Sequence, residues 1–218
     1  MSEFFRKPIR GGMSFIAKRK VKSDYIDSNP KNCKRRMTHI RYIDGNNLYG
    51  SQMLFDLPVK DYKFEDSIFI EKIEKKLKQK KPINCEERGM FLEVDLDYPK
   101  QLHTLHEDFP LAPDRYEVTY KELSPMNKRL YKKMKNQSSC HTFAAEKLIP
   151  TFHKRTRYIL HTKCLLFYLS KGLVLDKIHR IVSFMQEPFL KEYILTLTKL
   201  RSNYAAKNQT FLSMSLNF

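Results

Sequence analysis

The chain lacks any apolar run long enough to cross a bilayer: the longest, Cys164 to Leu169, falls far short of the roughly 20 residues a spanning helix needs. Its N-terminus shows neither the continuous apolar stretch nor the small-residue cleavage site of a secretory signal, so an intracellular protein with no membrane partner is expected. Cysteine is sparse and scattered. Cys33, Cys85, Cys140 and Cys164 include no CxxC pair, which excludes a zinc ribbon and a disulfide framework and leaves ordinary reduced thiols. A Walker-type glycine loop, GxSxG, HExxH and repeats of 20 to 50 residues are all missing, and their chemistries and architectures go with them. Acid is also short, since 24 Asp and Glu face 41 Lys and Arg and leave a net charge of +17.

What is present points to a packed protein. A hydrophobic fraction of 41%, with 15 Phe and 12 Tyr, excludes an intrinsically disordered chain. At 218 residues the chain is one large domain or two small ones. Its positive charge is unevenly placed: residues 1–43 carry +9, residues 44–144 are balanced, and residues 145–218 carry +8. Folding that joins the two ends would make a surface able to release counterions from a phosphate backbone, and aromatics interleaved with Lys and Arg favour nucleic acid over a merely solvated face.

Periodicity sets the expected elements. Met37 to Ile43 reads as a central strand, broken by the Asp44-Gly-Asn-Asn turn, after which Leu48 to Leu54 forms a short helix. Ile70, Ile73 and Leu77 recur at helical spacing over residues 68–81. Met90 to Tyr98 alternates strictly, with Leu92, Val94, Leu96 and Tyr98 on one side and Glu93, Asp95 and Asp97 on the other. Pro110 to Pro125 is loop-rich, Leu123 to Lys135 helical, and Asn136 to Thr142 a tip. Tyr158 to Lys171 reads as a helix with a buried run around Leu165, Phe167 and Leu169, closed by Gly172. Leu173 to Met185 reads as a strand, and Pro188 opens a helix carrying Leu190, Ile194 and Leu197.

Four places have candidate chemistry. Asp44, a carboxylate where a strand meets an amide-rich turn, suits joint capture of a cation and a phosphate, although an Asp-Gly turn needs no function to exist. Asp95-Leu-Asp97 has the spacing of a metal-binding DxD, which an amphipathic strand also produces. His103 and His106 have the HxxH spacing that could hold a metal, with no nearby Cys and only Glu107 and Asp108 beside them, a pattern a polar loop also produces. Gly11 and Gly12 can adopt positive φ and admit a tight turn or a close phosphate.

The string Tyr42-Ile-Asp-Gly-Asn-Asn-Leu-Tyr-Gly resembles the first palm motif of family B DNA polymerases, Asp-x-x-Ser-Leu-Tyr-Pro, in its protein-primed branch of viruses, linear plasmids and Maverick or Polinton elements. Ile9-Arg-Gly-Gly-Met-Ser, Leu92-Glu-Val-Asp-Leu-Asp-Tyr-Pro, Asp108-Phe-Pro-Leu-Ala-Pro, Tyr158-Ile-Leu-His, Leu169-Ser-Lys-Gly-Leu and Ile178-His-Arg-Ile are similar to that branch in the same order, over roughly residues 5–205. The resemblance implies Asp44 as catalytic carboxylate and metal ligand, and the Gly45 carbonyl as a second ligand. It implies Asn46, Asn47, Leu48 and Tyr49 as nucleotide-binding residues, Tyr49 excluding the ribose hydroxyl. Arg10, Gly11 and Gly12 fall in the DNA-binding segment, where Ile9 replaces the usual Tyr. Two Mg²⁺ ions, DNA template and primer, a deoxynucleoside triphosphate and a terminal protein primer are the implied partners.

The resemblance also implies a Lys-bearing second motif after residues 201–208 and an Asp-Thr-Asp third motif, and neither is present. The chain therefore reads as a fragment, inactive alone. The expected fold class is α+β: part of a family B palm, an antiparallel sheet with helices, plus the protein-primed insertion. Its expected segments are residues 1–36 as the Gly-Gly entry, 37–60 around the first motif, 61–160 as palm and insertion, and 161–218 as a helical approach to the second motif. The competing expectations are a non-catalytic nucleic-acid-binding remnant and a metal-dependent nuclease built on Asp95 and Asp97.

Overall fold

A computed structural model describes residues 1–18, 20–23, 39–83, 88–135 and 146–206. Along the chain it places α1 (Ser2–Arg6), α2 (Leu48–Gln52), β1 (Leu57–Phe64), α3 (Ser67–Lys78), β2 (Arg88–Asp97), β3 (Asp114–Tyr116), α4 (Pro125–Lys135), β4 (Lys147–Ile149), β5 (Arg155–His161), α5 (Thr162–Ser170), β6 (Val174–Glu187) and α6 (Lys191–Ala206). The class is mixed α+β with an antiparallel sheet. Four strands are ordered β1-β6-β2-β5, and β3 pairs separately with β4. The chain divides into two compact units, residues 1–19 with 93–179 and residues 20–92 with 180–218, so β2 and β6 each run through both. Both units are thus discontinuous in sequence.

In the first unit the alternation of β2 buries Val94 and Leu96, with Tyr98 just beyond the strand, and each such side chain stabilises the fold by about 1.5–3 kcal/mol. Glu93, expected to face outward, is buried as well, and its carboxylate lies 3.8 Å from the Arg157 guanidinium. Tyr158 to His161 departs from the helix expected there. Tyr158, Ile159 and Leu160 are buried consecutively, which one stripe of a helix cannot do, and they form β5. The helix starts at Thr162, where His161 Nδ1 accepts the Lys163 N–H at 3.2 Å as a cap. It ends as the sequence implies, with Gly172 at φ +99° donating to the Leu169 carbonyl at 3.1 Å. Leu165 is fully buried, but Phe167 of the same expected buried run is 49% exposed.

In the second unit α3 is capped by Asp66, whose side chain accepts from the Phe69 N–H at 2.8 Å, and its period buries Ile73 and Leu77. β1 lies antiparallel to β6, with Leu57 opposite Glu187 and Phe64 opposite Val182. Ile181, Val182 and Phe184 are fully buried in β6, while α6 buries Ile194 and half-buries Leu197; Leu190, half-buried as well, lies in the turn just before the helix, which starts at Lys191 and not at Pro188. The strand expected from Met37 to Ile43 does not form over residues 39–43, the part of it that is described; Met37 and Thr38 lie outside the described residues. β-propensity builds a strand only against a hydrogen-bonding neighbour, and Ile40, Tyr42 and Ile43 have none among the described residues, standing exposed. The expected tip at residues 136–142, and Cys33, Cys85 and Cys140, also lie outside the described residues; Cys164 is a free thiol.

Candidate nucleic-acid and catalytic site

The Asp44 turn is built by local hydrogen bonds. Asn47 takes the left-handed conformation, φ 48° and ψ 50°, which Asn tolerates better than most residues, and caps α2 through its Oδ1, which accepts the Gly50 N–H at 3.2 Å. The Ser51 N–H reaches the Asn47 carbonyl at 3.0 Å, and the Ser51 hydroxyl donates to the Leu48 carbonyl at 2.7 Å. A Cβ at Gly50 would fall 2.4 Å from the Asn47 side-chain amide, so a larger residue there would displace that cap. Gly45, by contrast, has open space around it and no positive φ. Residues 41–49 are all exposed, so Asp44, Asn46, Asn47, Leu48 and Tyr49 share one accessible turn.

Asp44 sits outside every strand of the described structure. Among the described residues, no group of three or more His, Cys, Asp and Glu is arranged to hold a metal. The donor set at this turn, one exposed carboxylate and the Gly45 carbonyl, does not fit two divalent ions, which need several carboxylates in fixed geometry. No catalytic step can be derived from it alone.

Asp95 and Asp97 do not form a DxD site either. Burial on its own would push the Asp95 carboxyl up, but the Arg157 N–H at 2.8 Å from Oδ1 and His179 at 2.9 Å from Oδ2 carry it below the usual range. Oδ1 thus ties β2 to β5, at a point where Arg157 adopts φ +50°, while Oδ2 faces the His179 ring on β6. Asp97 is exposed one pleat further on. His103 and His106 are likewise structural. His106 Nδ1 lies 2.7 Å from the Tyr98 hydroxyl, and His103 stacks on Phe152 with ring centroids 4.3 Å apart.

In the Gly-Gly segment the three implied DNA contacts separate. Arg10 is turned into the protein: its guanidinium covers the Tyr158 ring at 3.7 Å, donates to the Ile159 carbonyl at 2.8 Å and approaches Asp114 at 4.0 Å. Gly11 and Gly12 remain exposed with open space on their Cα atoms, and neither uses positive φ. Their accessible backbone is what the segment can offer a phosphate.

Two groups went unnoticed in the sequence. Arg155, 4% exposed, donates to the carbonyls of Ala112 at 2.7 Å, His153 at 2.5 Å and Thr151 at 2.8 Å. Burial lowers its pKa, and it acts as an internal tie, invisible to charge counting. The second is an aromatic groove between residues 109–113 and α5, whose one signal in the sequence is the spacing Lys163, Phe167, Lys171.

Comparison with protein-family models, with curated proteins and with solved structures found no match to this chain.

Proposed function

We propose that these residues are part of a DNA-directed DNA polymerase of the protein-primed family B type. The single observation that carries this reading is the ordered series of strings from Ile9 to Ile181, three of which fall largely on strands. Leu92 to Pro99 follows β2, Tyr158 to His161 lies in β5, and Ile178 to Ile181 lies in β6. The turn after Asp44 leads into a helix at Leu48, in keeping with the same motif. The activity would be transfer of nucleotides from deoxynucleoside triphosphates onto a primer, with Mg²⁺, a DNA template and a terminal protein primer as partners. Asp44 would serve as metal ligand, Asn46 to Tyr49 would hold the triphosphate, and Gly11 and Gly12 would contact the template backbone.

The turn carries one carboxylate, so the isolated 218 residues are expected to be inactive. Translating in every frame the DNA that follows the Phe218 codon tests the proposal. A Lys-bearing helix and an Asp-Thr-Asp strand are expected. A polypeptide joining them to this chain should extend a primer with Mg²⁺ and lose that activity on Asp44→Asn. No extension by the joined polypeptide, or extension indifferent to Asp44→Asn, would refute it.

A second reading, a nucleic-acid-binding module without catalysis, is favoured by the exposed position of Asp44 beside a net charge of +17. It requires DNA binding whose affinity falls steeply with salt, is unchanged by Asp44→Ala and needs neither Mg²⁺ nor nucleotide.

A further inference from the structure

The groove between residues 109–113 and α5 has a volume of about 320 Å³, at the lower end for ligand pockets. Its walls are apolar, formed by Phe109, Pro113, Phe167 and Tyr168 among others. The two phenylalanines are not core residues, since Phe109 is 57% and Phe167 49% exposed.

The loop forming one wall is held rigidly from beneath. The Leu111 N–H donates to the Tyr98 hydroxyl at 3.2 Å, Arg155 Nε donates to the Ala112 carbonyl at 2.7 Å, and the Tyr158 hydroxyl donates to the Pro113 carbonyl at 3.0 Å. Ala112 is fully buried at φ +52°, a conformation that costs an L-residue about 1 kcal/mol and persists only where its surroundings enforce it. The opposite wall, α5, is anchored by Leu165, which has no exposed surface. A groove so fixed binds without first being ordered, which removes much of the entropic cost of association.

Charge decides what fits it. Lys163 and Lys171 stand four residues to either side of Phe167, and Lys171 Nζ lies 5.6 Å from its ring. Neither lysine has an acidic partner among the described residues, whereas nearby Asp108 is already bound by Lys18 at 3.0 Å. An occupant must therefore combine a flat apolar body with negative charge on its flanks. A second copy of this chain, itself +17, meets that requirement poorly. A duplex hides its base faces, but an unpaired nucleotide presents both features at once.

We propose that this groove seats an unpaired base of a single-stranded nucleic acid, stacked against Phe109 and Phe167, with the adjoining phosphates neutralised by Lys163 and Lys171. The proposal rests on the nucleic-acid partner of the function given above and adds a site on residues that the first palm motif does not include.

A short single-stranded oligonucleotide carrying 2-aminopurine tests it in the full 218-residue chain. Fluorescence quenching on binding is expected, with affinity lowered about tenfold by Phe109→Ala or Phe167→Ala, the usual size of a lost base–aromatic stack. Affinity for duplex and the effect of Leu166→Ser, an exposed residue outside the groove, serve as controls and should not change. Lys163→Gln and Lys171→Gln, which cannot unfold the chain by cavity formation, should each flatten the salt dependence by about 0.7 in log–log slope. Binding that survives all four groove substitutions overturns the groove assignment and leaves the polymerase proposal standing. No binding of any nucleic acid overturns both. A dimer in sedimentation that dissociates on Phe167→Ala assigns the groove to self-association and overturns the proposal as well.

Discussion

Arg10 lies flat on Tyr158, its guanidinium carbon 3.7 Å from the ring centroid, and fastens the N-terminal segment to β5. The same guanidinium donates to the neighbouring Ile159 carbonyl at 2.8 Å, and its side chain is only 15% exposed. Burial, outweighing the pull of Arg10 in the other direction, raises the Tyr158 phenol well above its ordinary value, so the ring stays neutral and its face available to the cation.

Arg10→Ala should therefore act on stability before it acts on any ligand. Loss of a cation–π contact and a charge-assisted hydrogen bond is worth about 1–3 kcal/mol, or roughly 2–4 °C of Tm per kcal/mol for a chain of this size. Arg10→Lys keeps the charge but loses the planar stack and recovers only part of it. Thermal unfolding of the three proteins checks this. A Tm unchanged in Arg10→Ala would mean the contact contributes nothing.

Arg155 should be less replaceable still. It satisfies three carbonyls from one buried, planar head, and an ammonium cannot reach all three from the same site. Arg155→Lys is expected to cost about 2–4 kcal/mol by leaving buried carbonyls unpaired. Urea unfolding measures it, and proteolysis within residues 110–116 should accelerate in parallel as the loop loses its tie.

At Gly89 the constraint is space. A Cβ there would fall 2.2 Å from the Phe184 ring, itself fully buried, and 2.5 Å from the Gln186 side-chain oxygen. Gly89→Ala should destabilise by about 1–3 kcal/mol through overpacking, and Gly89→Ala combined with Phe184→Leu should recover part of the loss. Equal midpoints in urea for wild type and Gly89→Ala would show that the ring moves aside at no cost.

The elements readable from sequence were those whose signals are local. α3 has a cap and a helical period within twelve residues, β2 has strict alternation, and Gly172 stops α5 through its own backbone freedom. The segment before Asp44 was misread because a strand's existence depends on a neighbour that no local pattern encodes. Tyr158 to His161 was misread because a short apolar run looks alike in strand and helix. Charge was overcounted at the binding surface, since Arg10 and Arg155 spend their guanidinium groups inside the protein. The groove was hidden for the reverse reason: Phe167 reads as core until its exposure is seen, and Phe109 sits some 60 residues from it along the chain.

His161 gives the fold a dependence on pH. Its Nδ1 accepts the Lys163 N–H and so must carry no proton, and burial, aided by the charge of Lys163, lowers its pKa below the ordinary 6.5. The unfolded chain therefore takes up the proton first as pH falls. The stability this residue contributes is complete above about pH 7 and drains away as pH drops through 6.5 toward the folded value. His161→Asn preserves an acceptor suited to the cap while removing the titration. The difference in unfolding free energy between wild type and His161→Asn, followed by urea titration from pH 8 to 5, should shift steadily in favour of the variant toward the acid end. A difference that stays constant across that range would mean that the ring titrates alike in both states and that His161 is not the acceptor at the start of α5.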